Sequence, residues 1–451
     1  AMTACGVGSV NPEPAPAQEP APAQTESTGD ADSAQSGGPA WQDQQIHLRF
    51  LNRWAEGVNT LYEPLSSTVA AFDAAHPNLT VEYDAVGGTD DVQFYEKLRT
   101  AAAVGNMYNL VANYGGSTIR SYVDSGIFLD LTSEFAADPA WRDSFLDVFS
   151  MWEFDGVYGV YGVPFSYFAT LLFCNTELFE QHNLEIPTTL QEFEQVCDAF
   201  VAAGVTPIPR SGEGWRWGHW ATSFVMQQYG PDLIHGLANR TKQYTGPEMI
   251  GISNMFLDWQ SKGYFGDNIA SLDSTTENMM FALGQSPMIA IGTWIPETII
   301  QNNPDLLDKI EVVWFPYDEN TPQFRNGSMG GGNEGLSIYN ADDSNVTAAT
   351  VALLKHMTAS DNVTEMWKVD PFTPFAIRTA TPPADMNSLT KRSLELIESL
   401  NPALMQEITS YDSIASMQDT MRNAFAGMMA GGTAEAAMKR IQDEIESHEA
   451  S

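Results

Sequence analysis

Ile46-His47-Leu48-Arg49-Phe50-Leu51 alternates apolar and polar side chains, a long amphipathic segment runs from Tyr62 to Ala75, and Leu79-Thr80-Val81-Glu82-Tyr83 alternates again. A pattern period that passes from 2 to 3.6 and back predicts a β-α-β unit. Further along, a predicted helix from Asp91 to Ala103, a buried-type strand from Tyr108 to Ala112 and a helix from Thr118 to Ser125 continue the alternation. Such a succession predicts a parallel sheet with helices on both faces, and a ligand crevice outside the carboxyl ends of its strands.

The β-former-rich stretch from Val157 to Asn175, with Val163-Pro164 at its centre, is long enough to cross from one lobe to another. A new α/β pattern follows. It comprises a helix Thr176–His182, the helix-start signal Pro187-Thr188-Thr189 ahead of Leu190 to Ala203, the stop Gly204 and a predicted strand Val205-Thr206-Pro207-Ile208. Helices are predicted at Trp220–Tyr229, Gly246–Lys262 and Thr275–Leu283, a strand at Pro287–Ile291, and a helical end from Leu389 to His448. No short internal period is present.

A chain of 451 residues exceeds one ordinary core, and two lobes plus a tail are expected. Lys and Arg number 21 against 58 Asp and Glu, a formal charge of −37. That field repels a phosphate backbone and an anionic bilayer surface alike, so nucleic acid is not an expected partner. No apolar run approaches the ~18–20 residues that span a bilayer. Eleven Trp leave aromatic surface for binding as well as for the core.

Hydrolase signatures are missing. There is no His-x-x-x-His pair beside a Glu, no Gly-x-Ser-x-Gly elbow and no Gly-x-x-x-x-Gly-Lys-Ser/Thr loop, and no local pattern singles out a glycosidase carboxylate pair. No enzyme activity, cofactor or metal is expected.

Ala1-Met2-Thr3-Ala4-Cys5-Gly6 resembles the tail of a bacterial lipoprotein signal, with Cys5 as the residue that receives the lipid. Residues 1–44 are then an anchor followed by a Pro/Ala/Glu/Gln/Ser tether with too little apolar surface to fold. Cys174 and Cys197 are expected to be buried thiols.

Four further patterns carry a resemblance. Asn175-Thr176-Glu177-Leu178-Phe179 leads through Asn183-Leu184 to Pro187-Thr188-Thr189-Leu190-Gln191-Glu192-Phe193. Phe281 to Trp294 reads as helix, glycine, strand and Gly292-Thr293-Trp294. Gly159-Val160-Tyr161-Gly162-Val163-Pro164 and Gly330-Gly331-Gly332-Asn333-Glu334-Gly335 complete the set. In order and spacing these are similar to the extracellular solute-binding proteins of ATP-driven (ABC) importers, the large sugar-binding family that includes maltose-binding protein. The resemblance covers residues 45 to 445. It implies two α/β lobes with a ligand cleft at a hinge, each lobe a largely parallel sheet flanked by helices: 45–164 with 335–385, and 165–334 with 386–451. It also implies a monomer on the outer face of a bacterial cell membrane that passes a carbohydrate, expected to be an oligosaccharide, to permease subunits. A polyamine or peptide ligand, or a secreted glycoside-active enzyme, is the alternative.

A sugar offers an apolar C–H face and a rim of hydroxyls, so its site needs aromatic platforms with convergent polar groups. Trp294, placed by Gly292 at a strand's carboxyl end, is the first candidate. Trp215 and Trp217 lie in a Gly-rich polar stretch and are preferred over Trp220. In the first lobe Trp54 and Glu56 follow one strand, and Asn113 and Tyr114 follow another. Tyr167 lies in the crossing segment. Glu334 sits among glycines that allow close approach, and the resemblance adds Tyr411 and Asp412.

Overall fold

The computed structural model describes residues 39–450 apart from 58, 88–91, 155–156, 268 and 401–402. Cys5 and nearly all of the tether lie outside the described residues, and the chain from residue 40 onward is one compact unit. It contains two sheets, each with its own hydrophobic core.

The first sheet has the order β2-β1-β3-β9-β4. β1 (Ile46–Asn52) buries Ile46, Leu48 and Phe50 and leaves His47 exposed, as its alternation requires. It pairs in parallel with β2 (Leu79–Ala85) and β3 (Leu110–Tyr114). The helix Tyr62–Ala75 buries Leu65, Val69 and Phe72, one face at spacings of four and three, against this sheet's core. That core draws on 41–165 and 336–386.

The second sheet is built on β5 (Phe168–Asn175), whose last seven residues are all buried because both faces are covered. Leu172 and Cys174 join one core, whereas Ala169, Leu171 and Phe173 join another on the opposite face. β5 pairs with β6 (Met288–Gly292), β7 (Ile310–Val313) and β8 (Gly327–Gly331), each antiparallel, and β10 (Ala403–Met405) adds in parallel to β8. Both sheets therefore run mostly one way, with one reversed strand each. These are β5 and β9 (Glu334–Ile338), which is antiparallel to β3 and to β4 (Val163–Pro164). Both reversed strands enter directly from the other lobe, so neither needs the helical crossover that makes neighbouring strands parallel.

Three crossings lie side by side. Phe165 N donates to the Glu334 carbonyl at 2.8 Å, Tyr167 N to Pro374 at 2.9 Å, and Ala376 N to Phe165 at 2.9 Å. Gly331 takes φ +105°, a conformation a side chain rarely adopts, at the point where β8 leaves for β9.

Two local readings are corrected. Val205–Ile208 is not a strand: Pro207 and Pro209 supply no N–H for a ladder, and the segment makes only single bonds, such as Ile208 N to Tyr264 O at 3.2 Å. The helix predicted at Trp220–Tyr229 begins six residues earlier and spans Gly214–Gln228. The helix Leu190–Ala202 begins at Thr189 with a full capping box to Glu192. Cys174 and Cys197 are free and buried, and burial pushes both thiols well above their ordinary range.

The charge of −37 gives a stability prediction. Raising NaCl from 0.05 to 1 M shortens the screening length to about 3 Å and relieves self-repulsion. A melting midpoint roughly 1–2 °C higher is expected, the effect of ~1–2 kcal/mol on a single unit of about 400 residues. A midpoint that falls with salt would mean that ion pairing outweighs repulsion.

Candidate binding cleft

Arg53 follows β1, Tyr114 ends β3 and Glu334 begins β9, so three adjacent strands present their ends to the second lobe. The Arg53 guanidinium, 7% exposed, donates to Tyr114 Oη at 2.6 Å and to Glu334 Oε1, and stacks on the Tyr114 ring at 4.0 Å. Ser166 Oγ, from the first crossing, donates to Glu334 Oε2 at 2.6 Å. Both carboxylate oxygens are thus engaged, and the carboxylate remains partly open to solvent.

In the second lobe, three half-buried rings gather around the half-buried His219. Trp215 and His219 stand four residues apart on the first turns of their helix and share a face. Their centroids are 5.2 Å apart. Phe168, the first residue of β5, lies nearly parallel to His219 at 6.0 Å and edge-on to Trp294 at 5.1 Å, and Trp294 is 6.2 Å from His219. The Gly292-Thr293-Trp294 pattern has a direct cause. The Trp294 ring folds back over residue 292, where a Cβ would stand 1.9 Å from Cζ3. Trp215 is braced from behind: its Nε1 donates to Glu213 Oε2 at 2.7 Å, and the Arg216 guanidinium covers its ring at 4.5 Å.

Arg422 completes the rim. It holds Glu407 through Nε at 3.1 Å and Nη2 at 2.6 Å, with Gln418 adding a bond at 3.1 Å, and its charge is felt both by Tyr114 of the first lobe and by His219. Gly218 makes room for the pair, since a Cβ there would overlap Glu407 Oε1. Burial, then Arg422, Arg216 and Arg210, hold the His219 imidazole well below its ordinary pKa and keep it neutral. Unfolded, His219 takes up a proton around pH 6.5, while in the fold it stays neutral below that. Its contribution to stability is complete above pH 6.5 and declines as the pH falls, with a slope of at most about 1.4 kcal/mol per pH unit. Denaturant midpoints between pH 7.5 and 5 should therefore fall less steeply for His219→Gln than for the native chain; equal slopes would contradict the assignment.

Behind the arc lies a buried charge triad. Arg210 Nη1 reaches Glu277 Oε1 at 3.3 Å and Arg216 Nε reaches Oε2 at 3.4 Å, while Ser211 N donates to Oε2 at 2.8 Å. All three side chains are at most 1% exposed.

The expected residues divide accordingly. Trp294 and Trp215 share the ring arc, and Tyr114 and Glu334 share the Arg53 cluster. Trp217 does not belong: it is fully buried between Phe265 at 5.2 Å and Phe256 at 5.6 Å, because helical spacing puts Trp217 and Trp220 on the core face and Trp215 and His219 on the open one. Trp54 is likewise core, 2% exposed and 5.7 Å from Phe165, and Glu56 is on the exposed loop beyond it. Asn113 is buried on the opposite pleat from Tyr114, and its carboxamide makes no hydrogen bond among the described residues. Tyr167, just before β5, packs against the core cluster of Ala169 and Leu171, which Trp294 also packs against; burial, then Glu398, pushes its hydroxyl up to about 12. Tyr411 packs against His235 at 5.7 Å, apart from the rings. Asp412 is closed off by a bidentate pair with Arg240 at 2.6 and 2.8 Å.

Sequence reading missed Arg53, His219, Phe168 and Arg422. The available signals were an Arg directly after a strand and a His four residues after Trp215. Among the described residues no three His, Cys, Asp or Glu side chains converge as a metal donor set, and no helix is long and apolar enough to cross a membrane.

The family described as bacterial extracellular solute-binding protein matches residues 67–391. The xylose/arabinose-binding protein of Haloferax volcanii is 22% identical over 318 residues, which span 68% of this chain and 62% of that protein, less than two thirds of the relative's length. A solved chitin oligosaccharide binding protein superposes with a TM-score of 0.78 at 23% identity, covering 90% of this chain and 100% of the other. A structure from work on xylan utilization by Caldanaerobius polysaccharolyticus gives 0.75 at 19% identity, covering 89% and 100%.

Proposed function

Because this chain belongs to the bacterial extracellular solute-binding protein family, we propose that it captures a carbohydrate between its lobes by hinge closure and delivers it to the permease subunits of an ABC importer, without chemistry of its own. The observation that carries this reading is the arc of Phe168, Trp215, His219 and Trp294 in one lobe and the cluster of Arg53, Tyr114 and Glu334 in the other, with Arg422 close enough to both for its charge to act on His219 and on Tyr114. Rings supply platforms for C–H faces, while Glu334 and the neutral His219 supply acceptors for hydroxyls, Arg53 and Arg422 donors. The relatives named for xylose, arabinose, xylan and chitin oligosaccharide support the same ligand class. The hinged bodies are taken as 45–164 with 335–385 and 165–334 with 386–451, and the side-by-side crossings support that division.

A polyamine is the weaker reading. Its ammonium groups need open carboxylates, whereas Glu334 and Glu407 already hold Arg53 and Arg422. Attachment to the membrane through a lipid on Cys5 belongs to the proposal, with mass spectrometry of the membrane-bound native protein as its check.

Thermal melting against xylose, arabinose, xylo-oligosaccharides, chito-oligosaccharides, raffinose, spermidine and a peptide mixture tests the ligand class. A ligand at 100 times its Kd stabilises by about 2.7 kcal/mol, a clear upward shift. Spermidine or peptide raising the midpoint while every sugar leaves it unchanged would overturn the reading.

A further inference from the structure

Positive charge is scarce in this chain, 21 Lys and Arg against 58 Asp and Glu, yet arginine gathers at the ring arc. Arg422, Arg216 and Arg210 all act on His219, and Arg422 acts on Tyr114 as well. Arg422 is seated against the start of the Trp215 helix, where a Cβ on Gly214 would overlap its carbonyl. The acids that balance these arginines are set back from the cleft. Glu277 lies in the interior, and Glu213 is engaged by Trp215 Nε1 and Ser274 N. Glu407 is 1% exposed where its partner Arg422 is 31% exposed, so this pair turns its cationic end outward.

The geometry of that pair decides what can approach it. Glu407 takes the Nε–Nη2 edge of the guanidinium at 2.6 to 3.1 Å, and Nη1 makes no hydrogen bond among the described residues. The Nη1–Nη2 edge is a planar fork of parallel N–H donors, and its geometric match is a second carboxylate. The carboxylate of the first lobe does not supply it, because both oxygens of Glu334 are engaged by Arg53 and Ser166. His219, held neutral, neither competes with Arg422 nor adds to its charge. The overall charge of −37 does not forbid an anion at close range, since its field is screened beyond about 8 Å at physiological ionic strength.

We propose that the bound carbohydrate is an acidic one, a uronic acid unit whose carboxylate sits on the Nη1–Nη2 edge of Arg422 while its ring lies against the arc. This rests on the carbohydrate reading above and narrows it to one charged class. Calorimetry should compare glucuronic acid with glucose, galacturonic acid with galactose, and trigalacturonic acid with its methyl ester. In at least one pair the acid should bind at least about tenfold tighter, the order of one charge-assisted bidentate contact. The methyl ester of that acid should lose the preference on the native chain, since ring and hydroxyls are kept and only the charge is gone. Arg422→Gln should bring acid and neutral sugar to equal affinity. Arg422→Lys, which keeps a countercharge for the buried Glu407 but not the fork, should cut the preference by about threefold. Should the Gln variant fail to fold, the ester and the Lys variant decide. A neutral sugar that binds as tightly as its acid, an ester that keeps the preference, or Arg422 variants that keep it in full would each overturn the inference and leave the carbohydrate reading standing. Tighter binding of glucose 6-phosphate than of any uronic acid would overturn it too, by assigning the site to a phosphate. No binding by any sugar, acidic or neutral, would instead remove the underlying carbohydrate reading.

Discussion

Trp294→Ala is expected to lower sugar affinity by about 100-fold or more, close to 3 kcal/mol, while the melting midpoint of the ligand-free protein should change little. The ring is held in place before any ligand arrives, folded over Gly292 and edge-on to Phe168 at 5.1 Å, yet it stays partly exposed on the cleft side. A platform of that kind loses no side-chain freedom on binding, so its removal acts on affinity. Trp217→Ala is the contrast, because that ring is fully buried in the second lobe's core. It should destabilise by about 3–5 kcal/mol through the cavity it leaves. Isothermal calorimetry and melting on both variants check the pair. Unchanged affinity in Trp294→Ala would remove the residue from the site.

Glu277→Gln should produce the largest loss of stability from a single isosteric change. Two guanidiniums, Arg210 and Arg216, share this one carboxylate at 3.3 and 3.4 Å with no side chain of the three more than 1% exposed. Burial already depresses Arg210 to about 9, with Glu277 the main influence opposing it. Removing the countercharge leaves two buried cations facing one another, for which about 3–5 kcal/mol is typical of a broken buried pair. At about 2–4 °C per kcal/mol, the second lobe's unfolding midpoint should fall by roughly 6–20 °C. Calorimetric scanning measures it. Affinity should also fall, because Arg216 braces the Trp215 ring at 4.5 Å. A variant as stable as the native chain would show that the two arginines find other partners.

Most of the architecture is legible in local pattern. The alternation of Ile46 to Leu51, the helical repeat after Tyr62 and the capping signal at Thr189 each appear as elements where the residues imply them. The departures have physical causes. Pro207 and Pro209 cancel a ladder that Val205 and Ile208 suggest. The Gly- and Arg-rich stretch after Pro209 looks like a loop because arginine ordinarily marks a surface; here Glu277, 61 residues beyond Arg216, neutralises two arginines in the interior. That partner lies on another helix, beyond the reach of any local window.

The same division governs the site. Gly292-Thr293-Trp294 exposes its logic within three residues, since a ring that folds over its own backbone needs a glycine beneath it. Which of Trp215, Trp217 and Trp220 faces the cleft depends instead on where the helix starts and which side the core takes. The cluster of Arg53, Tyr114 and Glu334 depends on β3 lying between β1 and β9, an arrangement that brings residues 281 positions apart into contact. Periodicity and turn chemistry are properties of neighbouring residues and are complete in the chain itself. Burial, pairing and the meeting of two lobes are properties of distant residues, and they exist only once the sheets have formed and the chain has crossed between them.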